Sequence, residues 1–133
     1  MYNEVLLDHN AHPYNKDAHI KATHKKHLHN ASCGDNITVE LQVEKGKIVD
    51  AAFSGVGCAI SQASADLMLD LLIGKTVKKA TELAPLFQAM IHGEEKDFSK
   101  LEDAQALQNV AKMPARTKCA LLAWKVCKKL ENY

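Results

Sequence analysis

The feature that most constrains this chain is a change of period at Ala59. Before it, Ile37, Val39, Leu41 and Val43 alternate with Asn36, Thr38, Glu40 and Gln42, the two-residue repeat of a half-buried strand. Glu44-Lys45-Gly46-Lys47 has hairpin-turn composition, and Ile48 to Ser54 reads as the returning strand. Gly55-Val56-Gly57-Cys58 follows, with two glycines that permit close backbone approaches. From Ala59 the apolar residues recur at helical spacing instead: Ile60, Ala63, Leu67 and Leu71. A hairpin that runs straight into an amphipathic helix points to an α+β fold with helices on one face of a small antiparallel sheet.

The rest of the chain fits around that unit. Val5, Leu6 and His9 predict a short N-terminal helix over 3–12, stopped by Pro13. The polar run from Tyr14 to Asn30 holds His19, His24, His27 and His29, with Ile20 and Leu28 as its large aliphatics. It reads as mostly irregular (partly irregular over 12–30), with a third short strand near Ile20 to Thr23. Its histidines share neither a helical nor a strand face, so they read as a solvated loop. Gly74 closes the helix begun at Ala59, and Thr76 caps the next, along which Ala80, Leu83, Phe87 and Met90 share a side. Pro85 falls inside that pattern and predicts a kink or two shorter helices. A charged loop over Glu94 to Ser99, a weak helix over Leu101 to Ala111 and a final helix from Pro114 to about Glu131 complete the chain.

At 133 residues the chain is read as a single domain over 1–133, with a core that needs no disulfides. The net charge of +1 offers no field for nucleic acid or an anionic membrane. The most apolar stretch, Leu67 to Ile73, is far shorter than a membrane span and is preceded and broken by Asp66 and Asp70. Met1 is followed by no signal-peptide pattern, which predicts a cytoplasmic protein. In a reducing compartment its four cysteines are expected to bind metal, react or pack rather than pair.

Cys33 and Cys58 bracket the hairpin, whose outer ends lie side by side in space. Cys119, early in the last helix, closes the same cluster if that helix crosses the sheet end. Cys33-Gly34-Asp35 adds a carboxylate on a glycine hinge. Three thiolates and Asp35 make an S₃O set that suits zinc, and the same thiols suit iron or an iron–sulfur cluster. Arg116 and Lys118 beside Cys119 favour its thiolate form. The opposing reading is that each cysteine is a small buried hydrophobe; for Cys127, among Ala123, Trp124 and Val126, that is the reading adopted.

Cys33-Gly34-Asp35, Gly55-Val56-Gly57-Cys58-Ala59-Ile60-Ser61-Gln62-Ala63-Ser64 and Pro114-Ala115-Arg116-Thr117-Lys118-Cys119-Ala120-Leu121-Leu122-Ala123-Trp124 together resemble the NifU N-terminal/IscU family. Tyr2, Val5, Asp8-His9, Pro13 and Asn15 are similar to that family's opening helix and turn. Lys118 stands where Isc-type scaffolds carry histidine, and the segment from Cys58 to Cys119 is long, which places the resemblance on the SufU branch. Met113-Pro114-Ala115-Arg116 replaces the chaperone-binding motif of Isc-type members.

The resemblance implies zinc held by Cys33, Asp35, Cys58 and Cys119. It implies a pyridoxal-phosphate cysteine desulfurase (SufS-like) as partner, Cys33 as the sulfur acceptor, Arg116 in a supporting or docking role, and downstream Suf components or apo-proteins as recipients. The expected function is zinc-dependent sulfur transfer in iron–sulfur cluster biogenesis. The alternatives are a scaffold on which a [2Fe–2S] cluster forms on the same residues, and a structural zinc module without sulfur transfer.

Overall fold

The computed structural model describes residues 4–11, 13–31 and 34–132, with side chains up to Cys127. In chain order it contains α1 (Glu4–Ala11), β1 (His24–Asn30), β2 (Asp35–Glu44), β3 (Lys47–Val56), α2 (Ala59–Leu72), α3 (Val77–Ile91) and α4 (Thr117–Leu121). Three 3-10 segments complete it: Ser99–Lys112, Pro114–Arg116 and Ala123–Asn132. The sheet is antiparallel throughout, in the order β1-β2-β3. This is the expected α+β architecture.

One sheet face is apolar because β2 obeys its two-residue repeat: Ile37, Val39 and Leu41 are fully buried. Leu28 lies opposite Ile37, and Phe53 and Ala51 lie opposite Val39 and Leu41. The helices cover that face, with Leu67, Met68, Leu69 and Leu72 of α2 and Phe87 of α3 buried in the same core. Each such side chain contributes about 1.5–3 kcal/mol by leaving water. The same inward row ends in two polar residues, Asn30 opposite Asp35, at the sheet edge nearest α2's start.

Three local expectations are corrected. The third strand is His24–Asn30 rather than Ile20 to Thr23, so the histidine tract is β1 itself. Only Leu28 and Asn30 of β1 are buried, which leaves almost no apolar alternation to read. His27 and His29 lie on the outer face, where their rings meet Thr38 at 3.0 Å and Asn36 at 2.8 Å. His24 has the opposite parity, so the three histidines do not share one strand face, as expected. Pro85 neither breaks nor divides α3, which runs from Val77 to Ile91. Pro85 is exposed, so the carbonyl it deprives of a partner can reach water, while buried Leu83 and Phe87 fix the helix on both sides of it. The final helix is subdivided into a 3-10 turn, the short α4 and a 3-10 stretch. Cys127 is fully buried there.

Chain closure depends on a few backbone bonds. Asn15 and Asp17 pair with Phe53 on the outer edge of β3, so part of the polar run protects that edge. Gly55, at φ +115°, passes so close to Asn36 that a Cβ there would meet its carbonyl oxygen at 2.0 Å. This close approach holds the ends of β2 and β3 together, directly beside Asp35 and Cys58.

Candidate metal centre

Asp35 opens β2 and points inward, with no exposed surface. A buried carboxylate is stable only when its oxygens are satisfied. Asp35 Oδ1 accepts from the Cys58 N–H at 2.9 Å and lies 3.0 Å from the Ser61 hydroxyl. Asp35 Oδ2 accepts from Asn30 Nδ2 at 3.3 Å. That amide also lies 3.8 Å from Cys119 Sγ, so Asn30 spans the carboxylate and the thiol.

Cys58 is the N-cap of α2, and its Sγ accepts the Ser61 N–H at 3.4 Å. The first turn of α2 thus presents a backbone donor to that sulfur. Gly57 is small for a specific reason. A Cβ on it would fall 2.4 Å from Ser61 Oγ and 2.8 Å from Asp35 Oδ1, so the cradle tolerates no side chain at that point.

Cys119 reaches the same place from α4 and is fully buried. Its position is set by α2: Ser64 Oγ donates to the Ala120 carbonyl at 2.6 Å and accepts from Trp124 Nε1 at 3.0 Å. Trp124 in turn stacks on Phe87 of α3, with ring centroids 3.9 Å apart and planes 7° from parallel. A buried aromatic stack and one bridging hydroxyl therefore fix the helix that carries the thiol.

The ligand atoms of Asp35, Cys58 and Cys119 all lie within 4.8 Å of one another, on three different elements. Tetrahedral donors about 2.0–2.3 Å from one ion are separated by roughly 3.3–3.8 Å, so closure needs at most about 1.5 Å of movement. Two thiols and a carboxylate, with the carboxylate already oriented, fit a zinc-type ion. Cys33 lies outside the described residues. Arg116 closes the 3-10 turn just before α4, half-buried, one such turn ahead of Cys119. Among the described residues, Cys58, Cys119 and Cys127 form no disulfide with one another. The cluster contains Asn30 and Ser61 as well, which sequence reading did not single out. For Ser61 the available signal was its place three residues after an N-capping cysteine.

A three-stranded sheet with helices on one face, and a thiolate–carboxylate cluster where sheet and helices meet, defines a small α+β domain built around a candidate metal centre. The chain belongs to the NifU-like N terminal domain family, which matches residues 1–127. It is 38% identical over 130 residues to the zinc-dependent sulfurtransferase SufU of Bacillus subtilis, covering 97% of this chain and 88% of that one. It is 41% identical over 128 residues to the iron–sulfur cluster assembly scaffold protein IscU of Thermotoga maritima, covering 96% and 90%. Among solved structures it resembles one described as a scaffold protein for the SUF system of Fervidobacterium islandicum AW-1. That pair has a TM-score of 0.85 at 36% identity, over 96% of this chain and 93% of that one. The N-terminal part of a NifU-like protein from Brucella abortus shares the fold, with TM-score 0.85 at 21% identity, over 98% and 94%.

Proposed function

We infer that this chain is an iron–sulfur cluster assembly protein that works as a zinc-binding sulfur acceptor. The observation that carries the reading is the convergence of Asp35, Cys58 and Cys119 at the end of the hairpin, with Cys33 two residues before Asp35 in the sequence. The 38% identity to a zinc-dependent sulfurtransferase supports it.

Asp35, Cys58 and Cys119, together with Cys33, would hold the ion. Zinc, when bound, keeps thiol ligands deprotonated at neutral pH. Asp35 Oδ1 is occupied by the Cys58 amide and the Ser61 hydroxyl, whereas Oδ2 accepts from Asn30 Nδ2 and keeps acceptor capacity for an ion. Cys58 and Cys119 are fixed by a helix cap and by the Ser64–Trp124 contacts. Cys33 is assigned the transfer step. Its thiolate attacks the outer sulfur of the persulfide on a pyridoxal-phosphate cysteine desulfurase. The S–S bond of the partner breaks, its electron pair stays on the partner's cysteine as thiolate, and the outer sulfur is now bonded to Cys33. Nothing is oxidised or reduced overall. Arg116 supports the site or the docking contact from the turn before Cys119.

The test is alanine production by the desulfurase with and without this chain. Stimulation by the wild type that is lost in Cys33→Ala supports transfer, and equal stimulation by the two rejects it. The 41% identity to an assembly scaffold favours a second reading, a [2Fe–2S] cluster built on the same residues. Protein purified without added iron decides between them: stoichiometric zinc and no visible colour supports the acceptor.

A further inference from the structure

A second cluster lies further along α2. Asp66 and Asp70 follow Cys58 by eight and twelve residues, roughly 12 and 18 Å at 1.5 Å per residue, so whatever they hold is distinct from the thiolate centre. Asp66 is fully buried and saturated. Its Oδ1 accepts from the Asn15 backbone N–H at 2.8 Å and from Asn15 Nδ2 at 3.0 Å. Its Oδ2 accepts from the Tyr14 N–H at 3.1 Å and meets His9 Nδ1 at 2.5 Å.

An ionised carboxylate only accepts, so the hydrogen in that contact belongs to His9 Nδ1. The other ring nitrogen, Nε2, lies 3.8 Å from Asp70 Oδ2. Asp70 is held there by Asn15 Nδ2, which donates to its Oδ1 at 2.8 Å. The imidazole side chain is only 6% exposed and Asp70 is 44% exposed. A further neighbour among the described residues is Tyr14, edge-on to the ring at 5.3 Å, whose hydroxyl is committed to Asp8. That hydrogen bond and the Asp8 charge push the Tyr14 phenol up, so it stays neutral and supplies no charge. A ring nitrogen and a carboxylate oxygen 3.8 Å apart, too far for a direct hydrogen bond, leave room for a cation between them in this half-closed site.

We propose that His9 Nε2 and Asp70 Oδ2 form a second metal site, for an exchangeable divalent transition cation whose remaining positions are filled by water. Asp66 is not a ligand in it. Asp66 is the carboxylate behind the ligating histidine that fixes the tautomer and holds the ring. Bonds of about 2.0–2.1 Å to nitrogen and 2.0–2.2 Å to oxygen sum to slightly more than the 3.8 Å gap, so an ion fits between them at an angle of roughly 130°. Closing the gap by about 0.4 Å brings that angle to tetrahedral. One imidazole and one carboxylate select zinc, iron(II), cobalt(II) or manganese(II) over soft or purely oxygen-seeking ions. An ion there would pin α1 to α2 beside the small cleft of about 110 Å³ that Leu6, Leu7 and Asn10 form with Ala59, Ile60 and Ala63.

The experiment loads the full chain with one equivalent of zinc and titrates it with cobalt(II). Absorption and histidine ¹⁵N NMR are followed together. The wild type takes a further equivalent of cobalt without sulfur-to-metal charge-transfer absorption, and the His9 Nε2 signal broadens. Asp70→Asn keeps an oxygen for Asn15 and binds that equivalent at least roughly tenfold more weakly. Cys119→Ser perturbs the thiolate centre and leaves the second equivalent in place, so failure at one site is distinguishable from failure at the other. Two results overturn the proposal: equal cobalt uptake by wild type and Asp70→Asn, or a His9 Nε2 in the wild type that stays protonated and unbroadened throughout the titration. The latter would show that a proton is the only cation between the two groups.

Discussion

Replacing Gly57 by alanine tests the geometry of the cradle with a single methyl group. The added Cβ would lie 2.4 Å from Ser61 Oγ, 2.8 Å from Asp35 Oδ1 and 3.4 Å from Asp35 Cγ. Ser61 can turn away, but Asp35 is anchored in β2 and held by the Cys58 amide. Relief therefore requires Asp35 to move, with weakening of the hydrogen bonds to Oδ1. Overpacking of this kind costs about 1–3 kcal/mol. For a domain of this size that corresponds to a fall in Tm of roughly 4–10 °C. Displacing an oriented ligand loosens a metal by about 10- to 100-fold. Calorimetry on the metal-free protein reads the first effect, and zinc competition with a chromophoric chelator reads the second. The double variant Gly57→Ala/Ser61→Ala removes the 2.4 Å contact and leaves the 2.8 Å one, so it should recover only part of each loss. A Gly57→Ala protein with unchanged Tm and unchanged zinc affinity would refute the account of Asp35 as a fixed, preoriented ligand.

Other consequences follow from the same contacts. Ser64→Ala deprives the Ala120 carbonyl and the Trp124 indole of a buried partner, and should cost about 2–4 kcal/mol in chemical denaturation, with weaker zinc retention because Cys119 shifts. Burial pushes the Cys127 thiol up to about 12, so in folded protein at pH 8 iodoacetamide should leave it unlabelled by mass spectrometry, and label it after denaturation. Because the folded-state value lies above that of the unfolded thiol, the neutral Cys127 stabilises fully below pH 9, and that contribution is lost as pH rises toward 12. Cys127→Ala should flatten the alkaline part of a stability profile, and an unchanged slope would contradict the assignment. Asn30→Ala removes the amide shared by Asp35 and Cys119, and should weaken zinc binding by roughly tenfold while the fold persists by circular dichroism.

What could be read without coordinates was whatever leaves a periodic or capping signature. The alternation of Ile37 to Val43, the switch at Ala59 and the cap at Thr76 each show in the sequence, and the structure has β2, α2 and the Thr76 Oγ1 to Lys79 N–H bond at those places. β1 was hidden because a polar edge strand has no alternation to display. His27 and His29 face outward over β2, and Leu28 alone marks the inner side among large aliphatics. Pro85 misled because its cost depends on exposure and on flanking burial, which local sequence does not state. Hairpin geometry predicts Cys33 beside Cys58, with Asp35 two residues from Cys33. Cys33 lies outside the described residues, and Asp35 does meet Cys58. Ser61 and Asn30 were not legible, since nothing local shows that their polar groups converge on one carboxylate. The buried Asp66 looked like an interruption of an apolar run. Only the fold shows that Tyr14, Asn15 and His9 return to satisfy it.

The most direct test of the central claim is zinc K-edge X-ray absorption on the full chain carrying one equivalent of zinc. The account predicts a first shell of three sulfurs at about 2.3 Å and one oxygen at about 2.0 Å, reduced to two sulfurs in Cys33→Ala. A first shell dominated by nitrogen and oxygen, or one whose sulfur count is unchanged in both Cys58→Ala and Cys119→Ala, would contradict it.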